Sequence, residues 1–223
     1  GRVIVHTDYS QAEFRVLAWI SQDEALIKAY RDGIDMHSRA AEAYYGKNFT
    51  KENRTTVKHF NFGWIYGGSE YAIAEAQGLP LPVARQLMAL YERTFVQAVA
   101  WRKQQFEIAR KKGYVEEPCF KRRRRFPLLT NDNLEDVRKQ AMNAPIQALA
   151  SDLTLVAMSE IVDALPPTAR VVLFLHDAIA VECDEADAPA VRGLVESKML
   201  EVAARELGTE VPFAVETEIG KHW

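Results

Sequence analysis

Cysteine is scarce in this sequence: Cys119 and Cys183 are the only two among 223 residues, and no CxxC pair occurs. Two thiols build neither a disulfide scaffold nor a zinc cluster, so the plain expectation is a pair of free thiols in a reducing compartment. No apolar run approaches the ~18 residues of a membrane span, and no membrane is expected. The opening Gly1-Arg2-Val3-Ile4-Val5-His6-Thr7-Asp8 has too short an apolar core for a secretion signal. It starts as a strand with nothing before it. We therefore expect a chain cut from something longer, with an unpaired edge and an uncovered apolar face at Val3–Val5. Repeats are absent, and the one low-complexity tract is a run of arginines. Charge excess is small as well. The net charge of −3 singles out no partner.

What is present is ordinary for a folded chain. Hydrophobic residues make up 48% and charged residues 26%, which excludes disorder and collagen. At ~150 residues per domain the length suggests one or two domains. Charge is unevenly spread. Residues 102–125 hold ten Lys/Arg against three Glu, including Arg110-Lys111-Lys112 and Lys121-Arg122-Arg123-Arg124-Arg125. Residues 176–223 hold eleven Asp/Glu against four Lys/Arg. The basic block suits a grip on phosphates, and equally suits a solvated face.

Residues 3–8 read as a short strand ending at an acid. Helical patterns follow at 12–18, 23–31 and 36–45, the last two stopped by Gly33 and Gly46. Another runs from 51 to 66 and ends in Gly67-Gly68. After Gly78-Leu79-Pro80-Leu81-Pro82, one long helical pattern covers 83–112. Pro118 and Pro127 bracket a basic loop or hairpin. Residues 136–165 are helical, interrupted near Pro145. Residues 170–175 and 178–182 read as strands around His176-Asp177, 188–207 as a helix and 211–219 as a last strand. Strand, helical insert, hairpin, helix and strand make an α+β fold: a sheet carrying a helical subdomain.

Two constellations carry chemistry. Asp8 and Asp177 each follow an apolar β-type run directly. If they converge from neighbouring strands they form a hard, oxygen-only site suited to Mg²⁺. Otherwise they are two unrelated turn residues. The second constellation is Arg54, Lys58, Phe62 and Tyr66, spaced i, i+4, i+8, i+12. At ~1.5 Å rise per residue these form one stripe roughly 18 Å long. Two cations followed by two aromatics match a phosphate followed by a base. An amphipathic helix is the alternative, but there cations and aromatics take opposing faces.

These motifs resemble those of the family A (bacterial DNA polymerase I-type) DNA polymerases. The first is Asp8-Tyr9-Ser10-Gln11-Ala12-Glu13-Phe14-Arg15-Val16-Leu17-Ala18. The second is Arg54, Lys58, Phe62, Tyr66 and Gly67, with Asn61-Phe62-Gly63 in place. The third is His176-Asp177-Ala178 inside a hairpin. Lesser matches are Asp35-Met36-His37, the arginines before Pro127, Asn143-Ala144-Pro145-Ile146-Gln147 and the ending Glu218 to Trp223.

The resemblance implies a right-hand fold: an antiparallel palm sheet with an inserted helical fingers subdomain, and a thumb that lies before Asp8 in the family and is absent here. Palm would occupy residues 1–19, fingers 20–115, and return helices with the palm's catalytic hairpin 116–223. It implies a phage-borne or bacterial cytoplasmic monomer that extends a primer on DNA with dNTPs, completed by an N-terminal thumb and exonuclease portion of the same parent. Asp8, Asp177 and the Tyr9 carbonyl would hold two Mg²⁺ ions, with Mn²⁺ as a substitute. Arg54, Lys58 and His37 would contact the triphosphate, and Lys58 would protonate the leaving pyrophosphate. Phe62 would pack on the nucleotide, Tyr66 would guard the templating position, and Glu13, beside Gln11, would exclude a 2′-hydroxyl. Asn143, Gln147, His176, Arg15 and Lys139 would contact primer–template. Lys139 stands where many members carry Arg. Ala178 replaces the acid that usually follows the catalytic Asp, and strand alternation turns position 178 away from the face of Asp177. Alternatives are a non-catalytic nucleic-acid-binding fragment and a single-subunit RNA polymerase, against which Glu13 and Phe62 argue.

Overall fold

A computed structural model describes residues 1–222 and, at Phe62, the backbone alone. Trp223 and the Phe62 side chain lie outside the described residues. The chain begins with β1 (Arg2–Tyr9), α1 (Ala12–Ser21), α2 (Glu24–Arg31), α3 (Met36–Tyr45) and α4 (Lys51–Ile65). It continues with α5 (Glu70–Gln77), α6 (Leu81–Thr94), α7 (Val96–Lys112), β2 (Tyr114–Glu116) and β3 (Arg123–Arg125). Last come α8 (Leu134–Ala164), β4 (Arg170–Leu175), β5 (Ala178–Asp184), α9 (Ala188–Leu207) and β6 (Val215–Gly220). Two compact units divide these elements, Gly1–Val16 with Gln147–Trp223, and Leu17–Ile146.

The first unit is built on an antiparallel sheet of order β4-β5-β1-β6. Its centre is β1. Val3, Val5, Thr7 and Tyr9 are buried, while Ile4, His6 and Asp8 on the other face are half-buried. This alternation is the two-residue period of a strand covered on one side. The cover is α9, which packs on β1, β5 and β6 and buries Val191, Val195, Met199 and Val202. Each such side chain contributes about 1.5–3 kcal/mol when fully buried. The expected unpaired edge at Val3–Val5 is therefore corrected. Val5 pairs with Val181 on one side and Ile219 on the other, and the edge strands are β4 and β6.

The second unit is helical, with the β2–β3 hairpin as its small sheet. It departs from the sequence pattern in two places. A separate helix, α5, follows Gly67-Gly68: the Ser69 hydroxyl accepts from Ala72 N at 3.3 Å at its start, and Gly78 at φ 63° ends it. The single long helix expected over 83–112 is instead α6 and α7, broken at Phe95 (φ −111°, ψ 61°). Phe95 is buried, its ring edge-on to Tyr91 at 5.1 Å and 6.2 Å from Trp64. Tertiary packing makes this break, and no Gly or Pro announces it.

Helix α8 runs through Pro145 without interruption. It is also long and apolar enough to cross a membrane by length and composition, with half of its most apolar window buried. Its polar positions, Asn143, Asp152 and Thr154 among them, interrupt the apolar run in sequence yet are themselves buried.

A single buried carboxylate joins two distant helices of the second unit. Asp23 Oδ1 accepts from Ala25 N and Leu26 N at 3.1 Å, capping α2, and Oδ2 accepts from Ala98 N at 3.0 Å in the first turn of α7. Asp23→Ala should destabilise this unit by about 2–4 kcal/mol, since three backbone donors lose their acceptor in a dry site. Urea denaturation measures the loss, and a change below about 0.5 kcal/mol would show that the two caps are dispensable.

Candidate functional site

Asp8 is the penultimate residue of β1, on the face opposite the α9-covered one. Asp177 sits in the two-residue turn between β4 and β5, after His176 at φ 55°. The Tyr9 N–H donates to the Asp177 carbonyl at 3.1 Å, which ties that turn to the end of β1. The two acids, 169 positions apart in sequence, thus share one end of the sheet. Tyr9 itself is an anchor: its hydroxyl donates to Met199 O at 2.5 Å, and its ring meets Phe213 edge-on at 5.6 Å.

Burial, then the charge of Asp177, then that of Glu216, push the Asp8 carboxyl above the usual carboxylate range, and His6 opposes them weakly. Burial does the same to Asp177, against its own backbone N–H and the two histidines His176 and His6. Two half-buried carboxylates that resist ionisation suit a divalent cation, which relieves both the desolvation and the mutual repulsion. Among the described residues no group of three or more His, Cys, Asp and Glu could hold a metal. The donor set is therefore two carboxylates, to be completed by backbone, water or substrate oxygens, which fits Mg²⁺ or Mn²⁺.

Register explains the neighbours of Asp8. Ala178 of β5 and Glu216 of β6 both stand directly opposite it, and directly opposed residues share a face. An acid at position 178 would lie beside Asp8, in a place where alanine is 7% exposed. Glu216, which the sequence pattern did not single out, accepts from the Ser10 hydroxyl at 2.9 Å. Its signal was an acid on an alternating strand, too common to stand out.

In the helical unit the cationic stripe lies along α4. Arg54 Nε donates to Asp35 Oδ2 at 2.8 Å and Ser38 Oγ at 3.1 Å. Asp35 caps α3, accepting from His37 N and Ser38 N. Burial resists its ionisation, but the hydrogen bonds from Ser38 and Arg54 outweigh that and bring its pKa to about 2. His37 is buried, and the charges of both Arg54 and Lys58 act on it. The structure thus gathers Asp35, His37, Arg54 and Lys58. Tyr66 is 43% exposed just past the end of α4.

That end is held by Arg102, a residue the sequence pattern missed inside its basic block. Arg102 is 6% exposed, donates from Nη2 to Trp64 O at 2.6 Å and Ile65 O at 3.3 Å, and lies 4.6 Å over the Trp64 ring. Burial, with Arg138 nearby, lowers its pKa to about 10. Arg138 donates to Gly67 O at 3.1 Å. Gly67 has φ +81°, and a Cβ there would come within 3.2 Å of the Lys139 backbone.

The remaining expected site residues scatter. Glu13 opens α1 and is half-exposed, as is Gln11 at φ 55°. Arg15 is buried, and its guanidinium donates to the backbone carbonyls of Ser10 (2.7 Å) and Pro212. Asn143 is buried with no hydrogen bond to Oδ1, whereas Gln147 and His176 are exposed. Both cysteines are free.

Comparison with known proteins gives a consistent result. The family model for DNA polymerase family A matches residues 1–223. The thermostable DNA polymerase I of Thermus filiformis is 33% identical over 100% of this chain and 27% of its own length. DNA polymerase I of Streptococcus pneumoniae is 32% identical over 99% of the chain and 26% of its own length. The chain thus spans about a quarter of these curated relatives. The POL domain of Pol1 from M. smegmatis, solved with DNA primer-template and dNTP, superposes with a TM-score of 0.85 at 28% identity, over 98% of this chain and 39% of that one.

Because Asp8 and Asp177 hold their protons more tightly folded than unfolded, their effect on stability is most favourable below about pH 4 and worsens as pH rises through the raised values. At about pH 7.5 in EDTA, Asp8→Asn and Asp177→Asn should each melt a few degrees above wild type, with the gap closing towards about pH 4. Saturating Mg²⁺ should raise the wild type more than either variant. Variants that melt below wild type at neutral pH would contradict the charge conflict described above.

Proposed function

The chain belongs to DNA polymerase family A, and on that premise we propose that it forms the palm and fingers of a DNA-directed DNA polymerase. In this reading it adds a deoxynucleotide to a primer 3′-hydroxyl by in-line attack on the α-phosphate. The observation that carries the proposal is the pair of half-buried carboxylates brought to one end of the sheet, Asp8 at the end of β1 and Asp177 in the β4–β5 turn that the Tyr9 N–H holds. Asp8, Asp177 and the Tyr9 carbonyl would hold two divalent cations. When bound, Mg²⁺ supplies Lewis-acid activation of the attacking hydroxyl and neutralises charge on the pyrophosphate.

The chain's own residues supply binding, orientation and a proton. Arg54 and Lys58 bind the triphosphate, Arg54 being oriented by Asp35 and Ser38. Lys58 gives its proton to the departing pyrophosphate. Phe62, whose side chain lies outside the described residues, would pack on the incoming nucleotide, and Tyr66 would guard the templating position. Glu13 and Gln11 border the sugar and leave no room for a 2′-hydroxyl. Asn143, Gln147, His176, Arg15 and Lys139 lie against the primer–template, with the buried Asn143 Oδ1 awaiting a donor. The enzyme, phage-borne in this reading, would work as a monomer in the bacterial cytoplasm on a DNA primer–template, with a thumb and exonuclease portion supplied by its parent.

Primer extension by the full-length protein tests these roles. Asp8→Asn and Asp177→Asn should each lower single-turnover incorporation by at least about a thousandfold while DNA affinity stays within about threefold. Wild-type rates in either variant would refute the assignment. Lys58→Ala should mainly lower kcat and Arg54→Ala mainly raise the nucleotide KM, and small equal effects would return α4 to a purely structural role. Glu13→Ala should lower the preference for dNTP over rNTP. An unchanged preference would show that Glu13 is not the gate, and a wild-type preference for rNTP would favour an RNA polymerase.

A further inference from the structure

The ring nitrogens of a histidine are chemically distinct, and the partner of one decides what the other offers. His37 sits at the start of α3, 5% exposed, with Nδ1 against Asn61 Nδ2 at 2.5 Å. Asn61 is on α4, three residues past Lys58 and seven past Arg54, on the side of the cationic stripe. It is fully buried. The hydroxyl of Tyr91, on α6 and also buried, donates to Asn61 Oδ1. A buried phenol needs an acceptor for its proton, and taking Oδ1 for that purpose directs the amide N–H₂ at His37. An N–H facing Nδ1 requires that Nδ1 accept, which leaves the ring proton on Nε2.

We propose that Asn61 and Tyr91 are positioning residues that lock the His37 imidazole in the Nε2–H tautomer, so that it meets the triphosphate as a neutral hydrogen-bond donor. This rests on the reading of His37 as a triphosphate contact. The other tautomer would turn a lone pair towards the phosphate oxygens and repel them. The tautomer therefore decides between a hydrogen bond and a repulsion.

The surroundings favour the neutral ring. Burial disfavours the imidazolium. Asp35, two residues before on the cap of α3, favours it, and Arg54 and Lys58 of α4 oppose it; the balance puts the pKa at about 4. From α6 comes Tyr91, whose own ionisation is held off by burial. The rings of Phe60 and Trp64, at 5.2 and 5.0 Å, fix the Tyr91 phenol in place. With Arg54 and Lys58 supplying charge, the histidine supplies direction, and its donor character persists across the whole neutral range.

Nitrogen-15 spectra of the histidine rings test the tautomer directly. In the wild type His37 should show the Nε2–H form unchanged from about pH 5 to 8. Asn61→Asp places a carboxylate against Nδ1 and draws a proton there. His37 should then titrate at or above its ordinary value, near about 6.5, and lose the Nε2–H form above it. The nucleotide KM should follow: relative to wild type, the Asn61→Asp protein should show a KM about tenfold higher at pH 8 than at pH 6, with a smaller change in kcat. A merely structural role for Asn61 would shift KM equally at both pH values. Tyr91→Phe removes one buried oxygen and keeps the test open should the buried charge of Asn61→Asp unfold the protein. It should give mixed tautomers and a KM raised a few-fold. An Nδ1–H form in the wild type, or a single unchanged tautomer in Tyr91→Phe, would overturn the lock. Spectra as expected, with a KM that His37→Phe does not move, would overturn the triphosphate contact on which its use depends.

Discussion

Two like charges are forced together at one end of a sheet, and the first unit is arranged to hold them there. Left alone, Asp8 and Asp177 would move apart or protonate: burial already raises both, and the charge of Asp177 raises Asp8 further. They stay because the backbone leaves no alternative. β1 is clamped between β5 and β6, Tyr9 is tied through its hydroxyl to α9, and its N–H holds the Asp177 carbonyl. In the reading proposed above, the stability this conflict costs would be recovered when a cation binds.

The acid missing at position 178 fits this view. Because Ala178 and Glu216 flank Asp8 from the two neighbouring strands, an acid at 178 would add a fourth carboxylate to Asp8, Asp177 and Glu216 in a nearly closed space. Alternation along β5 alone compares position 178 with its own strand. The relation to Asp8 exists only across strands and follows from pairing.

In the helical unit, buried and half-buried charged groups fix the helix ends and orient the cation of α4. Asp23 fastens α2 to α7, Asp35 caps α3 and orients Arg54, and Arg102 caps the end of α4. Glu117, fully buried, accepts from the backbone of Cys119 and Arg122 and so shapes the loop that presents the arginines of β3. Asp23, Arg102 and Glu117 are buried charged side chains whose main partner is backbone, whereas the half-buried Asp35 is also held by the Ser38 and Arg54 side chains.

Much of this was legible in the sequence, and most of the exceptions have a common cause. The strands, the hairpin around His176-Asp177 and the helix that carries Arg54 and Lys58 rest on local periodicity and motif spacing, and these elements are present. The short α5 is bounded by the local signals Ser69 and Gly78 and was missed despite them, whereas the break at Phe95 depends on tertiary packing that a window of neighbours does not contain. The same holds for Arg102, Glu216 and the Tyr91–Asn61–His37 chain, whose partners are distant in sequence. Binding of Mn²⁺, followed by electron paramagnetic resonance in the presence of a dNTP, tests the central claim most directly. The wild type should bind the ion, and a protein carrying both Asp8→Asn and Asp177→Asn should not, at any concentration where the wild type is saturated. Equal binding by both would show that these carboxylates are not the metal's ligands, and the account of the sheet unit would fail.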